Sequence, residues 1–318
     1  MFHKSALLVS ALALVAAACA SSPDAAKAPP STLETASTTT EATTSTTVAA
    51  TTTTVDDGFP VTIDAPNGQV TIEERPTRIV SISPASTEVL FAIGAGDQVV
   101  AVDSLSNYPP EAPLTDLSAF SPSVEAIAAY IPDLVVLSFD PDGGLLPALE
   151  AIGVPAILHS GPATVEGAYA QWEQLGVATG NVAEAAGVVA ETTARIEDAY
   201  ASIPAAADGQ SYYWELDATL FSLTSATFVG DLLTGTRMTN IADEADADGY
   251  GYPQLSSEYV IGANPDLIVL ADTVCCGQTA VTVAERPGWD TMTAVASEQV
   301  AELNDDIASR WGPRIAVL

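Results

Sequence analysis

The 318-residue chain is poor in positive charge. Lys4 and Lys27 are its two lysines, and nine basic side chains face 41 acidic ones for a formal net charge of −32. That balance excludes a generic nucleic-acid binder, whose affinity comes from Lys and Arg neutralising phosphates. It also excludes docking on an anionic lipid surface through a basic patch. Histidine is nearly absent, with His3 and His159 the only two. A Ser-His-Asp arrangement would therefore rest wholly on His159, and no phosphate-binding P-loop occurs, so catalysis is not expected. Cysteine is limited to Cys19, Cys275 and Cys276. Two cysteines and one distant histidine make no zinc pattern, and Asp140–Gly144 reads as a turn, not a calcium loop, so no metal site is expected. Long apolar runs are missing too. The longest, Ala6–Ala18, falls well short of the roughly 20 residues of a bilayer span. What the chain does have is 48% hydrophobic residues, too many for an acidic disordered polymer.

The N-terminus reads as an export leader. His3 and Lys4 precede the apolar run, and small residues follow it, which marks 1–18 as a signal peptide. Ala16-Ala17-Ala18-Cys19 resembles a bacterial lipobox, with Ala16 where leucine is usual. The resemblance implies an acylated Cys19 as the mature N-terminus, held at the membrane by more than one acyl chain. Residues 19–57 are rich in Thr, Ser and Ala without apolar periodicity, and are expected to be a disordered tether. As a flexible coil it would reach about 35 Å.

Beyond the tether the sequence repeats itself. Ser123–Leu137 (SVEAIAAYIPDLVVL) and Ser256–Leu270 (SSEYVIGANPDLIVL) align without a gap. Each has Ser, then Glu, a short helical stretch, Pro-Asp and an apolar run. Pro-Asp turns the chain, and the β-branched run suits a buried parallel strand. The expected fold is α/β, two similar lobes built on parallel sheets, at 58–163 and 204–318. Between them, 164–203 carries apolar residues in steps of three and four from Val182 to Tyr200, the spacing of a helix with one buried face. Gly180-Asn181 divides a shorter helix from this longer one. Such a connection makes a stiff hinge with little opening and closing.

These motifs, with RIVSISPASTEVLFAIGAGDQVVAV (Arg78–Val102), NYPPEA (Asn107–Ala112), YPQLSSE (Tyr252–Glu258) and DDIASRWGPRI (Asp305–Ile315), occur in the order of one family. From about Phe59 onward the chain resembles the helical-backbone substrate-binding proteins of ABC importers for vitamin B12 and ferric siderophores, most of all the cobalamin-binding branch. The resemblance implies two Rossmann-like lobes, a connecting helix and ligand in the cleft. It implies as partners a permease dimer with its ATPase subunits, and a monomer anchored at the outer face of the cytoplasmic membrane. It makes Glu125 and Glu258, one per lobe, the residues that dock on permease arginines. Taken singly, either is also a helix first-turn carboxylate complementing the helix dipole.

Ligand contacts are expected outside the carboxyl ends of the strands. Pro84, Ala85 and Ser86 follow a strand and open a helix, where backbone amides can meet polar ligand edges. By resemblance, Phe120 and Tyr252 occupy the aromatic positions that sandwich a corrin ring, and Asp306 and Arg310 match a late polar loop that contacts cargo. Phe120 and Tyr252 replace tryptophans of the B12-binding relatives, and Leu105 falls where an aromatic is expected. Pro313 opens a helix that relatives continue further, so the chain reads as cut short.

Charge bears on the cargo. With both lysines in the leader and tether, the nine basic residues leave seven arginines for the lobes. Arg237 and Arg310 are the cations expected near the cleft. Anionic ferric catecholates call for a basic cluster, so a neutral corrinoid fits better, with a neutral ferric hydroxamate as alternative. Haem would call for an axial ligand, from His159, Tyr250 or Tyr252. Corrinoid or ferric chelate is cargo here, and no resident cofactor is expected. Outside the cytoplasm the adjacent Cys275 and Cys276 can bridge each other in an eight-membered ring, pair between molecules or stay free, and the vicinal disulfide is the expectation.

Overall fold

The computed structural model describes residues 58–317; the expected leader, Cys19 and the tether to residue 57 lie outside the described residues, as does Leu318. The first elements, β1 (Val61–Ala65) and β2 (Gly68–Ile72), form an antiparallel hairpin whose Ile63, Val70 and Ile72 are buried. Gly68 takes a φ of +105°, a turn conformation that disfavours a side chain. Asn67 ties the hairpin to the adjoining sheet, giving its side-chain N–H to Ala156 O and accepting from Leu158 N.

Five parallel strands make the N-terminal sheet: β3 (Ile79–Ile82), β4 (Val99–Asp103), β5 (Leu114–Leu117), β6 (Leu134–Leu137) and β7 (Ala156–Leu158), in the order β5-β4-β3-β6-β7. All four residues of β3 and of β6 are buried, as continuous apolar strands covered on both faces must be. Helices α1 (Pro84–Ala92), α2 (Val124–Ala128) and α3 (Leu145–Ala151) follow β3, β5 and β6.

The connection is a pair of helices, α4 (Val165–Thr179) and α5 (Val182–Ser202). Gly180, at φ +72°, ends α4 in a left-handed cap, and α5 begins two residues later. Both helices reach both lobes. Val165 N, at the start of α4, donates to Asp231 of the C-terminal lobe, while Arg75 and Gln98 of the N-terminal lobe donate to Thr179 O at its end. α5 then returns, and Tyr200 near its end donates to Leu232 O.

The C-terminal sheet has four parallel strands, β8 (Ser211–Glu215), β9 (Thr239–Asn240), β10 (Leu267–Leu270) and β11 (Val300–Glu302), in the order β11-β10-β8-β9. Its helices are α6 (Phe228–Thr234), α7 (Ser257–Ala263), and the short α8 (Thr273–Cys276), α9 (Ala280–Ala284), α10 (Thr293–Ala296) and α11 (Asp305–Ala308). A 3-10 segment, Pro313–Val317, packs against α5.

The repeat has a structural reason. In each lobe the aspartate of Pro-Asp grips the start of the first strand of the parallel sheet. Asp133 accepts from Thr77 N at 2.8 Å and Arg78 N at 2.9 Å, just before β3. Asp266 accepts from Ser211 N at 2.9 Å, the first residue of β8. β6 and β10 are thereby set beside β3 and β8. One buried apolar cluster runs from Ile63 and Ile72 through α1 and Trp172 of α4 to Tyr212, Trp214 and Phe228 of the other lobe. The lobes share that core.

Candidate functional site

In both sheets the chain turns aside at the first strand, placing one neighbour on each side of β3 and of β8. Ligands of open parallel sheets bind outside the carboxyl ends of the strands at such points. Exposed large apolar side chains gather in the loops there. Leu105 lies two residues past β4, Phe120 three past β5, Phe139 two past β6, and Val274 four past β10. Phe221 follows β8 and pairs with Gln254, beside Tyr252. Tyr250 and Tyr252 meet edge to face with ring centroids 6.0 Å apart. Phe120 is 69% exposed and Tyr250 79%, so both rings lie largely open to solvent. Burial, and then the neighbouring Tyr250, push the Tyr252 phenol above its ordinary range.

The two sets of strand ends are joined at one side of the cleft. Asp103, buried at the end of β4, accepts from Leu105 N at 2.8 Å and from the Ser106 hydroxyl at 2.6 Å, fixing the loop that follows. That loop meets the one after β11: Asn107 donates to Asp306 at 2.8 Å, and Arg310 donates to Leu105 O at 3.0 Å. Arg310 also bonds Asp306 at 2.8 Å and Asn107 at 2.9 Å, and lies 3.2 Å from Glu88. Arg314 makes a two-pronged pair with the same Glu88 carboxylate and stacks 3.9 Å over Tyr108. Glu88 is 3% exposed and Arg310 8%, so the network is an interlobe clamp. Asp306 and Arg310 are together as expected, but Arg310 is enclosed by protein partners.

The Ser83–Ser86 turn also differs in detail from expectation. Ser83 caps α1, accepting from Ser86 N at 3.2 Å, and Pro84 has no N–H, so few amides are free for a ligand. Ala85 and Ser86 are buried, and Pro84 is the partly exposed member. Arg237 lies apart from the strand ends, paired with Asp208 and Ile203 O in the turn before β9. All seven arginines are engaged: Arg75, Arg78 and Arg195 with Thr179 O, Tyr130 O and Glu191, and Arg286 with Glu215.

Glu125 and Glu258 occupy the same place in the two lobes. Each is the second residue of a short exposed helix whose cap is a serine, Ser123 for α2 and Ser256 for α7. Its own backbone N–H first, and then the Ser123 hydroxyl at 2.8 Å, hold the Glu125 carboxyl below its ordinary range. A concavity of about 430 Å³ on the N-terminal lobe contains both Phe120 and Glu125, with Asp140 and Leu145 opposite, so the aromatic and acidic candidates adjoin there.

Cys275 and Cys276 are joined by a disulfide in the one-turn helix α8, and both are exposed. A ring of two residues removes little entropy from the unfolded chain, about 1 kcal/mol, so global stability does not explain it. Just before α8, Asp272 is fully buried with neither carboxylate oxygen hydrogen-bonded. Burial, then the adjacent Glu215, push its carboxyl up to about 7. Glu215 itself is buried in a bidentate pair with Arg286, at 2.6 Å for both bonds. His159 is buried with Nε2 2.9 Å from the Gln174 side-chain oxygen, and burial pushes it down to about 4. Enclosed in this way, it does not present a ring nitrogen to the cleft.

Glu88, Phe139 and Phe221 were not legible as site residues. Glu88 is the single charge in the otherwise apolar and small PASTEVLFA segment, and that is the signal that marks it.

Residues 79–307 match the model of the periplasmic binding protein family. YvrC of Bacillus subtilis, an uncharacterised ABC transporter substrate-binding lipoprotein, is 30% identical over 266 residues, 81% of this chain and 82% of YvrC. A cobalamin-binding protein of Halobacterium salinarum is 28% identical over 267 residues, 81% of this chain and 71% of the relative. Among solved structures, a possible iron-binding, periplasmic solute-binding protein of Staphylococcus epidermidis superposes with a TM-score of 0.65 at 24% identity, covering 77% of this chain and 96% of that one. With its two parallel-sheet lobes and facing strand ends, the chain belongs to the periplasmic binding proteins of ABC importer type.

Proposed function

We propose that this protein captures a neutral corrinoid, cobalamin or a close relative, in the interlobe cleft and delivers it to an ABC permease. The observation that carries the reading is the set of exposed apolar rings at the strand ends of both lobes, in a molecule whose arginines are all engaged. A flat ligand with a large apolar face gains by covering Phe120, Tyr250 and Tyr252. A strongly anionic ferric catecholate would find no uncommitted guanidinium among the described residues. The resemblance to the Halobacterium salinarum cobalamin-binding protein agrees with this. A neutral ferric hydroxamate is the second reading, favoured by the likeness to a protein described as iron-binding.

Glu125 and Glu258 steer the loaded protein onto permease arginines, one contact from each lobe. Fixed on lobes that share a core, the two charges specify orientation more than affinity. Cys19 carries the lipid anchor on the outer face of the cytoplasmic membrane, and the tether lets the monomeric lobes reach the permease. Incubation with cyanocobalamin followed by desalting tests the cargo. Corrin absorbance is expected to travel with the protein; its complete loss, with a ferric hydroxamate retained instead, would transfer the assignment to the siderophore.

A further inference from the structure

The geometry points to the Cys275–Cys276 disulfide as a redox-addressable contact surface of the cargo site, with capture tight in the disulfide state and weakened in the dithiol state. This rests on the cleft reading above. Three observations carry it.

First, the bridge stands at the carboxyl end of β10, the strand next to the first strand of its lobe. Val274 beside it is 63% exposed and both cysteines are exposed, so the apolar tip of the loop faces solvent where cargo is proposed to sit. Second, the loop is held firmly from below. One carboxylate, Asp305, accepts from Val274 N at 2.7 Å and Cys275 N at 3.0 Å, and the Thr273 hydroxyl donates to Leu303 O at 2.6 Å. Gln278 closes the loop, its N–H donating to Asp272 O and its side chain accepting from Arg286 at 2.8 Å. Third, Asp305 is followed by Asp306, which takes the Asn107 bond from the other lobe. One hydrogen bond and one residue step therefore separate Cys275 from the interlobe contact.

A bridge between neighbours holds no distant segments together, so its consequences are local. It presents two sulfurs as one compact, polarisable surface with no S–H group. Thiol–disulfide exchange follows from access: a dithiol reductant attacks one exposed sulfur, the S–S bond breaks, and a mixed disulfide forms. The reductant's second thiol then releases it as its own disulfide, leaving two S–H groups. The two side chains become free to rotate apart, and the single surface is lost.

The full chain is tested in two states. Oxidised protein is compared with protein reduced by dithiothreitol and then freed of reductant under anaerobic conditions. Each is titrated with cyanocobalamin, a ferric hydroxamate and haemin. Without reductant neither Cys275 nor Cys276 is expected to be alkylated by iodoacetamide; after reduction both are. The ligand that binds the oxidised chain is expected to bind the reduced chain at least about tenfold more weakly. The variant Cys275→Ala with Cys276→Ala should match the reduced chain in affinity, with a thermal midpoint within a few degrees of the oxidised chain's to show that it is folded. Equal affinity in both states overturns the inference and leaves the cleft reading standing. Alkylation of Cys275 and Cys276 before reduction also overturns it. Binding of none of the three ligands by the oxidised chain overturns both.

Discussion

Two buried side chains with opposite responses to pH sit near the strand ends. Asp272 keeps its proton to about pH 7 in the folded protein, whereas the unfolded chain releases it in the ordinary carboxylate range. Between those values the folded state binds more protons, so this group's contribution to stability falls as pH rises from about 4 to about 7. His159 works the other way. It is held neutral down to about pH 4 when folded and protonates near 6.5 when unfolded, so its contribution is lost as pH falls from about 6.5 to about 4. Asp272→Asn should raise stability at about pH 8 by on the order of 1–3 kcal/mol and change it little near pH 4. Thermal melts across that range would then leave the acid-side loss that belongs to His159. Melts of the variant that run parallel to the wild type at every pH would contradict the account. None of this was legible in the sequence, where Asp272 is one of 41 acidic residues. Glu125 and Glu258 were legible because the repeat singles them out, and the repeat exists because Asp133 and Asp266 anchor equivalent strands.

Among the elements, α2 and α7 carry the functional argument. Both are one to two turns long, serine-capped, and followed by a buried strand, so their first turns are fixed to the lobes. Reversing both charges, Glu125→Arg with Glu258→Arg, should abolish cargo uptake by cells carrying the permease while leaving cargo affinity in solution unchanged. Loss of affinity would mean that these residues serve the cleft. The helices and buried strands could be read from period and punctuation: Gly180-Asn181 announced the break between α4 and α5. What one-dimensional spacing does not carry is direction across the molecule. That α4 begins at Asp231 and ends beside Arg75 depends on contacts 66 and 104 residues apart in sequence. The turn at Ser83–Ser86 was legible as a helix start, but its amide bookkeeping depended on which groups were already bonded.

For the molecule as a whole, the charge that first excluded nucleic acid now has a distribution. The acidic excess lies over two lobes with a common apolar core, clamped by Glu88, Arg310 and Arg314, and the other arginines are paired within the chain, Arg195 and Arg237 at its surface. On the proposed reading, the facing strand ends recognise cargo chiefly through apolar rings. The two-lobed architecture was legible from the repeat and the connecting segment, since both follow from local pattern. The clamp was not, because its members come from opposite ends of the chain. Calorimetric titration of the full chain with cyanocobalamin, in parallel with its Phe120→Ser, Tyr252→Ser variant, tests the cleft directly. One site per chain is expected, with binding weakened by at least about tenfold in the variant, as the loss of two aromatic contacts implies. Unchanged affinity in the variant, or no binding by the wild type, would contradict a corrinoid held between the two lobes.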